Sequence, residues 1–281
     1  MAETAGSEEF DMFGKRLASG IVLVILAIIL MTVGGVPLLL VTALISLIGQ
    51  FEFYRALGVE HRSISGIGYA ATVVYYLMVY FEGRAYMTAM IVGTLMVFML
   101  AYVVTFPAYK TEEIAIGFFG MCYVAVMMSY LYLTRQGTNG RYFVWLIFLS
   151  AWGCDTLAYC TGKLFGRHHM TPVLSPKKTW EGAAGGVIGA ALLGFLFAKA
   201  FGMRFDGLEH PALTCAFACG VGALISMVGD LAASAIKRNH NIKDFGHLIP
   251  GHGGILDRFD SLLFTAPAIY YAIHVINRLT S

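Results

Sequence analysis

The chain has 281 residues and a formal net charge of +2; 58% of the residues are hydrophobic and only 13% are charged. A soluble globular protein is about a quarter charged and under half apolar, so that class is excluded. A charge balance this close to neutral says little about partners, and no nucleic acid is expected among them.

Apolar runs of about 20 residues, the length that crosses a bilayer's hydrocarbon layer, recur from end to end. The expected fold is all-α: a polytopic integral membrane protein with about nine transmembrane helices. The first 16 residues mix acids with Lys15 and Arg16 and show no cleavage signal, so the first run reads as a retained span. In chain order the expected spans are 17–35, 37–56, 65–82, 85–106, 113–133, 142–161, 183–202, 211–236 and 254–276. Turn chemistry separates them, as in Gly34-Gly35-Val36-Pro37 and Gln136-Gly137-Thr138-Asn139-Gly140. If the N-terminus is cytoplasmic, only Arg84, Arg135, Arg141, Lys199, Arg204 and Arg278 lie on the far side, leaving 13 of the 19 lysines and arginines inside. That asymmetry satisfies the positive-inside rule and puts the loops 162–182 and 237–253 in the cytoplasm.

Five cysteines lie within or beside apolar segments, and none forms a CxxC pair, so neither zinc nor a disulfide framework is indicated. Residues 1–140 hold little intramembrane charge beyond Glu52 and Arg55 and read as a transmembrane scaffold. Residues 141–281 carry nearly every polar group that needs a reason, and read as the catalytic region.

Three clusters stand out there. Asp155 and Tyr159 are four apart and share a helix face, which Gly162 and Gly166 continue toward the loop Ser175-Pro176-Lys177-Lys178-Thr179-Trp180-Glu181-Gly182. Its paired lysines suit phosphate oxygens, although a loop that merely orients the helix would also be basic. Asp230, Ser234 and Lys237 form a helical stripe that ends at Arg238. Past Lys243, Asp257 and Asp260 are three apart on the last helix, with Arg258 turned off their axis. Just before it, Gly251, Gly253 and Gly254 allow a tight turn that aims amides at an anion. His252 could contact phosphate or simply cap the loop.

Each aspartate at a bilayer centre costs about 2.5–3.5 kcal/mol, so Asp155, Asp230, Asp257 and Asp260 together would cost on the order of 10 kcal/mol unpaired. They need a wet cavity, cations or a metal. Oxygen donors without His or Cys suit a hard ion such as Mg²⁺; a buried ion-pair cluster is the plainer alternative. Acids for a divalent cation beside cations for phosphates suggest phosphoryl or nucleotidyl transfer involving a lipid. No P-loop is present.

The run from Ser234-Ala235-Ile236-Lys237-Arg238 through Lys243-Asp244, Gly246, Ile249-Pro250 and His252-Gly253-Gly254-Ile255 to Asp257-Arg258-Phe259-Asp260 resembles the signature of phosphatidate cytidylyltransferases. The resemblance is strong over 150–265 and weak before it, where only general hydrophobicity and the Glu52-Phe53-Tyr54 stretch match. It implies transfer of the cytidylyl group of CTP to phosphatidic acid, giving CDP-diacylglycerol and pyrophosphate. It also implies Mg²⁺, with K⁺ as a possible second ion, and a homodimer in a bacterial inner membrane. Asp230, Asp257 and Asp260 would be metal ligands and, with Lys237, the catalytic set. Lys177, Lys178, Lys237 and Arg238 would meet CTP and lipid phosphate, with Asp155, Tyr159, Ser234, Lys243, His252, Gly253, Gly254 and Arg258 as further substrate-binding candidates. A CTP-dependent polyprenol kinase, a CDP-alcohol phosphotransferase and a transporter are the competing readings. The second lacks its DGxxAR-type helix here, and the third lacks an internal repeat.

Overall fold

The computed structural model describes residues 20–22, 24–81, 83–201, 205, 207–249 and 253–280. An apolar helix α1 covers Gly20–Val33. Then follow α2 (Gly35–Ala56), α3 (Ser63–Tyr80), α4 (Met87–Thr105), α5 (Thr111–Gly120), α6 (Met127–Gln136), α7 (Gly140–Phe148), α8 (Cys154–Phe165), α9 (Trp180–Phe201), α10 (Pro211–Asn239) and α11 (Leu256–Thr280). Six-residue and five-residue π-turns join α5 to α6 (Met121–Val126) and α7 to α8 (Leu149–Gly153), making two composite spans of 26 residues each. Among the described residues, eight helices are long and apolar enough to cross a membrane, with α1 shorter. A 22-residue helix such as α2 is about 33 Å long, enough for the hydrocarbon layer. The chain is an all-α integral membrane protein. The expected first span lies partly outside the described residues, as do Pro250, Gly251 and His252.

The largest departure from the expected spans is the stretch 162–182. Here α8 runs on to Phe165, and α9 already starts at Trp180. Between them lies an antiparallel hairpin, β1 (His169–Thr171) with β2 (Ser175–Thr179), in which Thr171 pairs with Ser175 and His169 with Thr179. Pro176 fits because its missing N–H costs nothing on an edge strand. Thr179 then caps α9, its Oγ1 accepting the Gly182 N–H at 3.1 Å.

The chain forms two compact units. The first takes residues up to Ala125 and His240–Phe259. It is organised by α2, whose Tyr54 is fully buried and donates to the Gly117 carbonyl at 2.5 Å while accepting from Gln50 at 2.7 Å. Thr72 donates to Gln50 at 2.7 Å, and Ser46 bonds the Tyr76 hydroxyl at the same distance. Polar bonds of this kind glue helices where lipid supplies no hydrophobic drive.

The second unit takes Val126–Asn239 and Asp260–Ser281. Its organiser is α9, which buries Gly182, Gly186, Ala190, Gly194 and Ala198, every fourth residue. The stripe lets backbones approach closely: a Cβ on Gly186 would lie 2.9 Å from Cys154 Sγ on α8, and one on Gly194 2.5 Å from the Cys215 carbonyl on α10.

Candidate active site

In the second unit, α8, the hairpin and α10 bring three of the singled-out groups together. Lys178 on β2 forms an ion pair with Asp230 of α10. Asp155, on the first turn of α8 just past a π-turn, lies within electrostatic reach of both. A cavity of about 280 Å³ opens here, lined by Asp155, Tyr159, Ser175, Lys177, Lys178 and Met227 among others. Asp155 and Tyr159 thus share the wall that their spacing suggested. Gly229 brings α10 against α11, since a Cβ there would stand 2.9 Å from Phe264 Cβ and 3.1 Å from the Asp260 carbonyl oxygen.

Lower on α10, Lys237 Nζ stands 3.9 Å from Asp260 Oδ2, with both side chains largely buried. Asp260 Oδ1 also accepts the Ser261 N–H at 2.7 Å. Ser234 is half-buried on the same continuous helix, and Arg238 is exposed in its last turn.

The first unit holds the remaining described candidates. Asp257 is buried, and its Oδ2 accepts N–H bonds from Phe245 (2.8 Å), Gly246 (3.4 Å) and Gly254 (3.0 Å). The amide that the glycine-rich stretch offered to an anion therefore meets one from the protein itself. Gly253 adopts φ +83°, a conformation that favours glycine, and its carbonyl accepts the Ile249 N–H at 2.9 Å. Arg258 Nε is buried without a hydrogen-bond partner among the described residues, while Lys243 is exposed.

Glu52 was not among the candidates. This α2 side chain is buried, and its carboxylate accepts the Ile255 N–H at 3.0 Å and the Leu256 N–H at 2.8 Å, closing the start of α11. The signal was visible as an acid inside an apolar span; its partners, some 200 positions away, were not. Glu181 was missed as well. It accepts the Arg167 and His168 N–H groups at 3.2 and 3.3 Å and meets His168 Nδ1 at 2.6 Å, so it fixes the turn into the hairpin.

No group of three or more His, Cys, Asp or Glu side chains is gathered as a metal cluster among the described residues. Mg²⁺ does not require one. It is commonly held by one or two carboxylates plus substrate phosphates, with the rest of its shell water. Asp155 and Asp230 offer two oxygen-only carboxylates within electrostatic reach of each other, and the Lys178 ammonium pairs with the second of them.

Residues 14–276 match the cytidylyltransferase family. The chain belongs to that family. It is 30% identical over 258 residues to a phosphatidate cytidylyltransferase of Staphylococcus saprophyticus, covering 90% of this chain and 96% of the relative. The Bacillus subtilis protein of the same name is 28% identical over 266 residues, 92% of this chain and 97% of its own. One from Rickettsia felis is 39% identical over 155 residues, 54% of this chain and 67% of its own.

Proposed function

We propose that this cytidylyltransferase acts on CTP and phosphatidic acid, forming CDP-diacylglycerol and pyrophosphate. The observation that carries the reading is the Asp155, Lys178 and Asp230 constellation beside a cavity lined by a second lysine, on a chain similar to phosphatidate cytidylyltransferases along nearly all its length. A phosphate oxygen of the lipid forms a bond to the α-phosphorus of CTP, and the bond from that phosphorus to the pyrophosphate oxygen breaks. The lipid phosphate is already ionised, so no strong general base is required.

Lys177 and Lys178 neutralise phosphate oxygens, and positioning with charge neutralisation is the main source of rate in such transfers. Asp155 and Asp230 would hold Mg²⁺, which would stabilise the charge spread over the transferring group. Asp230 also orients Lys178 through the ion pair. Asp257, Asp260 and Lys237 keep the catalytic and metal-binding roles that the resemblance implies, with K⁺ as a possible second ion. In this reading the chain works as a homodimer in a bacterial inner membrane. In the same reading the loops 162–182 and 237–253 face the cytoplasm, where CTP is found, as the lysine and arginine asymmetry favours.

Purified protein in detergent, given CTP, Mg²⁺ and phosphatidic acid, is expected to release CDP-diacylglycerol and pyrophosphate in equal amounts. CDP and a phosphorylated lipid as products, obtained with polyprenol in a parallel reaction, would move the activity to the kinase class. Uptake of a phosphorylated solute into liposomes without turnover would support a transporter.

A further inference from the structure

We propose that Glu52 is a positioning residue of this reaction, acting on Asp257 through Phe245, Gly246, Gly254 and the first turn of α11; the inference rests on the cytidylyltransferase reading above. A carboxylate in a membrane helix costs several kcal/mol, so an apolar residue at this place in α2 would stabilise the helix more. What the acid gains is a pair of charge-assisted bonds, to Ile255 N–H and Leu256 N–H, at a helix start whose dipole favours an anion.

The same turn of α2 grips the loop in three more ways. Arg55 Nη2 donates to the Phe245 carbonyl at 3.4 Å, and the Phe53 ring lies 6.3 Å from that of Phe245. Gly254 sits so near that a Cβ there would stand 2.5 Å from Glu52 Oε2. Asp257 holds the loop from the other end, through Phe245, Gly246 and Gly254. Two acids thus hold Phe245, Gly246, Gly254, Ile255 and Leu256, and moving Glu52 shifts the backbone whose amides aim Asp257.

Glutamine has the same shape but presents an NH₂ to one of two amides that need an acceptor. Glu52→Gln, Glu52→Asp and Glu52→Ala in the full-length protein separate charge, reach and volume. With CDP-diacylglycerol formation established first for the parent, Glu52→Gln is expected to lower kcat about a hundredfold, the size of effect a displacement of about 1 Å produces. KM for CTP should stay unchanged, as for an interaction that matters in the transition state. Glu52→Asp should retain more activity than Glu52→Gln or Glu52→Ala. Amide hydrogen exchange should speed up at 245–256 in Glu52→Gln and stay as in the parent across α3 and α4. Parental kcat in Glu52→Gln, or exchange that rises throughout the first unit, would overturn the inference. A parent without turnover would remove the reaction itself, a failure seen before any variant is read.

Discussion

Lys178 and Asp230 form an ion pair between a strand of the hairpin and helix α10, each side chain about a quarter exposed. Neither element could hold its charge in place alone. The hairpin is only two strands, and α10 would otherwise carry an unpaired acid inside a membrane span.

Removing one partner should therefore cost nearly as much as removing both. Lys178→Met and Asp230→Asn are each expected to reduce turnover at least about a hundredfold, in line with losing one preorganised charge from a transfer site. The double variant should fall far short of the product of the two losses, because the pair acts as a unit. Full multiplicativity in a steady-state double-mutant cycle would mean that the two side chains act independently.

Chelation gives a second outcome. Excess EDTA should abolish turnover, and added Mg²⁺ should restore it. Asp155→Asn is expected to raise the Mg²⁺ concentration for half-maximal rate by about tenfold or more, as removing a metal-supporting carboxylate does elsewhere. A titration of initial rate against Mg²⁺ decides this, and an unchanged midpoint would exclude Asp155 from the ion's surroundings.

Gly229 sets how closely α10 meets α11 in the second unit. Gly229→Ala places a methyl 2.9 Å from Phe264 Cβ, so the helices must part or the side chain must turn. The expected cost is about 1–3 kcal/mol of stability, typical of an overpacked core. Thermal unfolding in detergent would read it, and activity should fall with it because Asp230 is the next residue.

Tyr54→Phe tests the first unit without touching any charged candidate. It strips the Gly117 carbonyl and the Gln50 amide of a buried partner, a loss of about 1–3 kcal/mol. The melting temperature should drop while KM for CTP stays as in the parent.

Much of this was readable in the sequence, and the unread parts share a cause. Spans such as 37–56 and 211–236 matched α2 and α10 closely because lipid thickness imposes a length on any crossing helix. The stripe Asp230, Ser234 and Lys237 was legible because helical spacing is local. Local spacing also carried the α9 ladder from Gly182 to Ala198, a signal that went unread. Glu52 was different: its bonds to Ile255 and Leu256 join residues about 200 positions apart, and no local pattern announces them. The partners of Asp257 were hidden for a related reason, since spacing tells which face a carboxylate takes but not which loop folds over it. The hairpin 169–179 was masked by a loop reading, because Pro176 and the charged pair beside it looked like simple turn chemistry.

The α9 ladder also sets how this protein can change over time. Most packed interfaces can be damaged in two directions, by a side chain too small or one too large. Glycine has nothing left to remove, so at Gly182, Gly186 and Gly194 every possible substitution adds volume against a neighbouring helix. Substitution at these three glycines can push the helices apart but cannot leave a hollow between them. Repair must then come from shrinking the residue opposite, and at Gly194 the nearest atom is a main-chain carbonyl, which no substitution can trim.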